Sequence, residues 1–218
     1  MGKKAILLGA TGLIGSKLLT LLIQHEKYES FTVFVRSKMA LDHPKLNQII
    51  TDFKNLDHLK NEISGDVIFS CLGSTKNKTP DLAVYKKIDH DYPLYFAHEG
   101  LKNGIKSFHI VSSLGADSKS SNFYTKMKGE IEDDLKEIGF DSTFIYQPSF
   151  LKGNRSENRP IEKILNPIMS VLDLLLFGPL KKYRSIEALD VAKAMLNESI
   201  TNKRGIFVIE SDKIKELT

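Results

Sequence analysis

Short apolar runs alternate along the chain with longer stretches in which apolar residues recur every three or four positions. Ala5-Ile6-Leu7-Leu8 is the first such run; it ends in glycine and gives way to Leu18, Leu19, Leu22 and Ile23, whose spacing predicts a helix over 13–24. Phe31-Thr32-Val33-Phe34-Val35, β-branched and aromatic, predicts a buried strand that stops at Arg36-Ser37-Lys38. The rhythm continues, with strands predicted at 47–51, 66–70, 106–112, 142–146 and 205–209. Helices are predicted at 55–63, 89–103, 123–138 and 186–199, with Gly104 and Gly139 closing two of them. Strands that alternate with helices build a parallel sheet with right-handed crossovers and helices on both faces. The predicted fold class is therefore α/β: one domain over 1–218, built on a single doubly wound parallel sheet with a small irregular C-terminal region. Past Pro148 the rhythm breaks. Residues 151–185, punctuated by proline, glycine and charge, are expected to form a lid on the substrate side, because ligands of such folds sit beyond the carboxyl ends of the strands.

Composition narrows the class without changing it. Hydrophobic residues make up 41% of the chain and charged residues 27%, the balance of an ordinary folded protein and not of a disordered or fibrous one. The net charge of +4 is spread over scattered Lys and Arg and leaves no footprint for nucleic acid. The one cysteine, Cys71, excludes an intramolecular disulfide, and the N-terminus enters an apolar strand at once with no Arg-rich leader or cleavage site, so a cytoplasmic location is expected. The most apolar later stretch, 161–180, is interrupted by Pro167, Asp173, Gly178 and Pro179, too broken for a membrane span, and reads as a helical hairpin or lid.

The first candidate chemistry lies between the first strand and the first helix. Gly9-Ala10-Thr11-Gly12-Leu13-Ile14-Gly15 carries glycines at its first, fourth and seventh positions. Gly9 permits a sharp turn, Gly12 lets the backbone approach a pyrophosphate, and Gly15 lets the helix pack close to the sheet. Free N–H groups and the helix dipole then favour phosphate charge over Thr11, Gly12, Leu13 and Ile14. A glycine triplet also marks tight turns that hold no ligand; the strand before it, the helix after it and the second strand beyond give this one its functional reading, a dinucleotide-binding Rossmann-type turn. Where an acidic residue would receive the ribose hydroxyls of NAD, the second strand ends instead in Arg36-Ser37-Lys38, which suits a 2′-phosphate and favours NADP. Asp52-Phe53, after the third strand, are placed to flank the adenine.

The second candidate is a hydroxyl, phenol and ammonium set. Tyr124 and Lys128 stand one turn apart on a helix whose buried stripe is Met127, Ile131, Leu135 and Ile138, so both can meet one ligand. A free tyrosine titrates near ~10, and a neighbouring ammonium favours its phenolate and makes it a better acid and base at neutral pH. Lys128 can also hold the nicotinamide ribose. Ser112 and Ser113 end the preceding strand, where a hydroxyl can steady the charge on a substrate carbonyl; Ser113 is the first choice and Ser112 the alternate. Each piece alone is ordinary, Tyr-x-x-x-Lys being frequent on amphipathic helices and Ser-Ser being a common turn. Their order after a phosphate-binding turn points to catalysis. Cys71 reads as a small buried residue, since no histidine lies near it in sequence to activate it, and no metal is expected.

GATGLIG at 9–15, DVIFSCLGSTK at 66–76, KKIDHDY at 86–92, FHIVSSLGADSKSSNFYTKMKGEIE at 108–132 and ENRP at 157–160 together resemble the atypical short-chain dehydrogenases related to the Tat-interacting protein. The resemblance implies a Rossmann-type domain that binds NADPH, with Tyr124 as proton donor or acceptor and Lys128 beside it. It also implies cofactor contacts at Thr11, Gly12, Leu13, Ile14, Arg36, Leu72, Gly73, Leu151 and Arg159. Two departures stand out: Gln147-Pro148-Ser149 replaces the family's Arg-Pro-Gly, and Asp89 replaces the catalytic asparagine of many short-chain dehydrogenases.

Three functions fit this sequence. The first is NADP-dependent hydride transfer to or from a carbonyl or hydroxyl of a small, nucleotide-sugar-like substrate, with Tyr124, Lys128 and Ser113 as the site. The second is an NADPH-binding regulator that acts without turnover on a protein partner through 161–180; a homodimer is another association open to the chain. The third is contact of the apolar 168–177 stretch, with Lys181-Lys182 behind it, with a membrane surface or a lipid ligand; lids of this kind more often face the core.

Overall fold

Seven strands in the order β3-β2-β1-β4-β5-β6-β9 form one sheet in the computed structural model, which describes residues 2–153, 173 and 176–218. The strands are β1 (Lys3–Leu8), β2 (Tyr28–Val35), β3 (Leu46–Ile50), β4 (Val67–Ser70), β5 (Ser107–Val111), β6 (Ser142–Gln147) and β9 (Gly205–Glu210). Every neighbouring pair runs parallel. β4 and β6 are buried along their whole length, which is why β4 reads as an apolar run with no alternation.

Two hydrophobic cores flank the sheet. On one face α1 (Leu13–Gln24) and α5 (Ala188–Ser199) pack over Leu7, Val33, Phe69 and Phe144. On the other, α3 (Tyr92–Lys102) and α4 (Phe123–Ile138) cover Ile6, Phe34, Ile68 and Phe108, with Phe34 and Phe96 meeting edge to face at 4.7 Å. Chain order reverses between β1 and β4, so a crevice opens beyond their carboxyl ends.

Several elements depart from the predicted ones. The helix predicted at 55–63 is a short 3₁₀ segment, Asp57–Glu62. The helix predicted from residue 89 begins earlier, as α2 (Leu82–Lys86), because the Asp81 carboxylate caps it by accepting from the N–H groups of Ala83 and Val84. It then runs through one wide π turn, Lys87–Asp91, directly into α3. Leu82 and Val84 are exposed, so α2 has no apolar stripe for periodicity to detect. A two-stranded ribbon, β7 (Leu151–Lys152) beside β8 (Ile186–Glu187), and a terminal helix α6 (Ser211–Glu216) were not foreseen. Gly139 does close α4 in the left-handed conformation, at φ 91°.

The predicted lid lies largely outside the described residues. Its described part is β7, Asp173 and a 3₁₀ segment at Gly178–Tyr183, and Asp173 accepts from Lys152 Nζ at 2.9 Å and from the Ser185 N–H at 2.8 Å. The stretches assigned to a partner or a membrane surface, 161–180 and 168–177, fall mostly in the same gap. Among the described residues no helix is long and apolar enough to cross a membrane.

His109 is wholly buried in the sheet's centre, stacked on Phe144 at 4.4 Å, with its ring nitrogens 3.1 Å from Ser107 Oγ and from Tyr146 Oη. Burial, with the positive charge of Lys3 adding to it, lowers its pKa from 6.5 to about 3. The folded state therefore binds this proton less readily than the unfolded chain, so stability is fully present above about pH 6.5 and is lost as pH falls toward 3. The expected loss between pH 6.5 and 5 is about 2 kcal/mol. Urea unfolding of wild type and His109→Gln at both pH values checks this; equal slopes in the two proteins would refute it.

Candidate functional site

A cleft of about 910 Å³ occupies the crevice where β1 and β4 part. Its floor is the glycine turn: Thr11, Gly12, Leu13 and Ile14 line it, together with Lys17 one turn further along α1. Gly12 caps α1 with no side-chain bond, which leaves the first-turn N–H groups open to an anion. Gly9 and Gly15, counted among the cofactor-binding positions for shaping the turn, act through backbone contacts. A Cβ on Gly9 (φ 77°) would stand 2.5 Å from the Cys71 carbonyl oxygen, and one on Gly15 would stand 2.1 Å from the Gly9 carbonyl oxygen. They close the turn against β4 and against itself, and neither lines the cleft.

The end of β4 supplies one wall: Cys71, Leu72, Gly73, Ser74 and Thr75. The Thr75 hydroxyl oxygen is buried there with no hydrogen-bond partner among the described residues. Burial pushes the Cys71 thiol up to about 12, so it is no nucleophile. Lys76 and Lys78, on the loop that follows, also line the cleft and went unnoticed in the sequence, where they read as ordinary surface charge.

Helix α4 supplies the opposite wall. The Asn122 side chain caps it by accepting from the Thr125 N–H at 3.1 Å, and Tyr124 and Lys128 on its first turns both line the cleft. Gly129 fixes where this helix sits: a Cβ there would be 2.0 Å from the Ser118 nitrogen, so the loop from Ser113 to Asn122 crosses directly over the helix backbone. Ser118 Oγ adds a bond to Asp133 at 2.7 Å. This crossing gives physical meaning to the sequence pattern SSLGAD and KGE.

Lys128 is almost completely buried, 4% exposed, and its Nζ lies 3.0 Å from Oδ1 of Asp89, which is 1% exposed. Burial alone would drive its pKa down; the charges of Asp89, Tyr124 and Glu132 hold it above the usual lysine value. The other Asp89 oxygen accepts from the Ser74 N–H at 2.7 Å. Asp89 thus ties the π turn, α4 and the β4 loop together. A second tyrosine, Tyr85, lines the cleft with its ring 6.5 Å from that of Tyr124. It is buried, donates to the Ser74 carbonyl at 3.3 Å, and its pKa is raised by burial and then by Asp89. Tyr124, 37% exposed, is the phenol within reach of a ligand.

The two serines are placed differently. Ser112 lines the cleft, whereas Ser113, the predicted choice, does not, and the one bond its hydroxyl makes among the described residues is a long contact with the Leu114 carbonyl at 3.5 Å. Ser112 Oγ donates to the buried Glu132 carboxylate, which also accepts from Gln147 Nε2 at 2.9 and 3.0 Å. Gln147, the departure from the family pattern, is therefore part of the site's support. Burial raises the pKa of Glu132, against the lowering effect of the Ser112 and Gln147 bonds.

Leu151, on β7, for which the resemblance implies a cofactor contact, lines the cleft. Arg159 lies outside the described residues. Arg36 and Ser37 stand exposed just past the end of β2 and are not among the residues that line the cleft, and Arg36 makes no ion pair among the described residues. Phe53, predicted to flank the adenine, instead turns its ring into the core against Tyr92 at 5.3 Å, with φ 60°, and leaves Asp52 exposed.

A family model described as NAD(P)H-binding matches residues 9–198. The HTATIP2 protein of Rattus norvegicus is 31% identical over 208 residues, covering 93% of this chain and 84% of the relative. The mitochondrial protein fmp52 of Aspergillus niger is 30% identical over 215 residues, covering 95% and 92%. Among solved structures, a UDP-N-acetylglucosamine 4-epimerase from Methanobrevibacter ruminantium in complex with UDP-N-acetylmuramic acid superposes with a TM-score of 0.70 at 19% identity, covering 96% of this chain and 76% of that one. The Bordetella bronchiseptica enzyme WbmH in complex with NAD+ gives 0.71 at 18% identity, covering 99% and 79%. These two share the fold.

Removing one partner of the Asp89–Lys128 pair strands a buried charge. Asp89→Ala is expected to lower stability by about 3–5 kcal/mol in urea unfolding, and Asp89→Ala with Lys128→Met to recover most of it. A single variant within about 1 kcal/mol of wild type would show that the pair is not what holds these elements together.

Proposed function

This chain belongs to the NAD(P)H-binding family, in the group that holds the HTATIP2 and fmp52 proteins, and from that premise we propose that it is an NADP-dependent oxidoreductase acting on a carbonyl or hydroxyl carbon. The observation that carries the reading is that Tyr124 and Lys128 line the same cleft as the uncapped glycine turn. A bound nicotinamide cofactor supplies or accepts the hydride. Thr11, Gly12, Leu13 and Ile14 would hold its pyrophosphate, and Leu72, Gly73 and Leu151 would line its path.

Tyr124 Oη gives its proton to the substrate oxygen in the reductive direction and takes it back in the oxidative one. Lys128 holds positive charge beside the phenol, and Asp89 keeps that ammonium in place. Ser112, not Ser113, is the serine that meets the substrate oxygen. Exposed Arg36 and Ser37 at the end of β2 favour the 2′-phosphate of NADP. Lys17, Lys76 and Lys78 in the cleft wall suit a ligand that carries phosphates, as a nucleotide-sugar does.

NADPH oxidation over a panel of carbonyl compounds tests the mechanism: Tyr124→Phe is expected to lower kcat at least about 100-fold while NADPH affinity stays within about threefold. Undiminished turnover in that variant would sink it. For the cofactor, Arg36→Asp is expected to shift the ratio of NADPH to NADH affinity about tenfold or more toward NADH, read by nicotinamide fluorescence titration; an unchanged ratio would remove Arg36 from the site.

A further inference from the structure

Leu82 opens α2 at 44% exposure and lines the cleft, and Tyr85, one turn further along the same helix, lines it too. From α4 come Phe123 and Tyr124, both also lining the cleft. The rings form one cluster, with Tyr85 5.9 Å from Phe123 and 6.5 Å from Tyr124. α1, which starts at the glycine turn, packs on one face of the sheet, whereas α4 and the helix that α2 runs into pack on the other. The apolar wall and the phosphate turn therefore belong to opposite faces of the sheet, and the Tyr124 phenol belongs with the apolar wall.

The polar groups of this wall are already engaged with one another. Tyr85 donates its hydroxyl hydrogen to the Ser74 carbonyl, and Ser74 Oγ pairs with the Thr79 hydroxyl. Asn122 Oδ1 accepts from the N–H and the hydroxyl of Thr125, and Asp89 is held between Lys128 and the Ser74 N–H. A sugar needs a partner for each hydroxyl it takes out of water. Leucine and ring carbons offer none, whereas an apolar group gains by covering them.

We propose that Leu82, Tyr85 and Phe123 form an apolar substrate subsite beside Tyr124, and that the substrate is an aldehyde or ketone bearing an apolar group such as a phenyl or styryl ring next to its carbonyl. This rests on the oxidoreductase reading of the same cleft and narrows it. The carbonyl oxygen takes the Tyr124 proton, the carbonyl carbon takes the hydride of NADPH, and the products are the alcohol and NADP+. The apolar group lies against Leu82 and the rings, where aromatic pairing adds to burial. The phosphates that suit Lys17, Lys76 and Lys78 are brought by the cofactor itself, so the substrate need carry none. Tyr85 is almost wholly buried, at 5%, and Leu82 is open, so Leu82 is the position that sets specificity.

Leu82→Ser tests the assignment at an exposed position, where a polar residue costs the fold little. The substrates are cinnamaldehyde, glyceraldehyde and glyceraldehyde 3-phosphate, each followed by NADPH oxidation. The wild-type protein is expected to reduce cinnamaldehyde with a kcat/KM at least about tenfold above that of either other aldehyde. Leu82→Ser is expected to lower that preference about tenfold through the KM for cinnamaldehyde. A preference for glyceraldehyde 3-phosphate, an unchanged KM for cinnamaldehyde, or equal shifts for all three aldehydes would overturn the proposal.

A measurement without turnover decides the same point if no aldehyde is reduced. 4-Fluorobenzyl alcohol, followed by ¹⁹F line broadening with NADP present, is expected to bind the wild-type protein and to bind Leu82→Ser about tenfold more weakly. No binding, or equal binding by the two proteins, would overturn the proposal. Binding that depends on Leu82 with no turnover of any aldehyde would defeat the oxidoreductase reading and leave the apolar subsite standing. Turnover of glyceraldehyde alone would do the reverse.

Discussion

Lys128 and Asp89 are both almost entirely removed from water, and each is tolerable there because the other lies 3.0 Å away. The pair joins three pieces of chain: the π turn between α2 and α3, the first turns of α4 and the loop after β4, whose Ser74 N–H bonds the remaining aspartate oxygen. A single wide turn inserted into an α-helix shifts the residues on either side around its axis, and such turns recur at functional sites. Here it brings Asp89 inward. Breaking this one buried contact would leave the partner's charge stranded, a cost that the more exposed pairs Lys86–Glu130 and His90–Asp134 between the same elements do not carry.

The alternation of strands and helices made the sheet legible, because parallel strands buried on both faces leave uninterrupted apolar runs. The glycine turn was legible for a similar reason, since Gly9 and Gly15 are demanded by backbone contacts and glycine alone meets them. Leu82–Lys86 was missed because an exposed helix with no buried stripe gives periodicity nothing to register, and its one signal was the capping aspartate at 81. The end of the chain was missed in the same way: α6 is a short, charged helix.

Within the site, the residue types were readable and their partners were not. Tyr124 and Lys128 could be placed on one helix by their spacing, but nothing local to Lys128 points to Asp89, far upstream in sequence. Of two adjacent serines at a strand end, sequence offers no way to say which enters the cleft, because that depends on how the chain turns after Val111. Gln147 looked like a lost arginine. In the fold it is a donor to a buried carboxylate, and the departure becomes a statement about which charges are present beside the cleft.

The crossing of the Ser113–Asn122 loop over Gly129 acts as a ruler. Ser112 and Tyr124 stand at the two ends of the stretch that spans this contact, and the contact is made by backbone atoms against a missing side chain. Their separation is therefore tied to the number of residues between them. In such a segment insertion or deletion of one residue would displace the serine, the tyrosine or the helix that carries it.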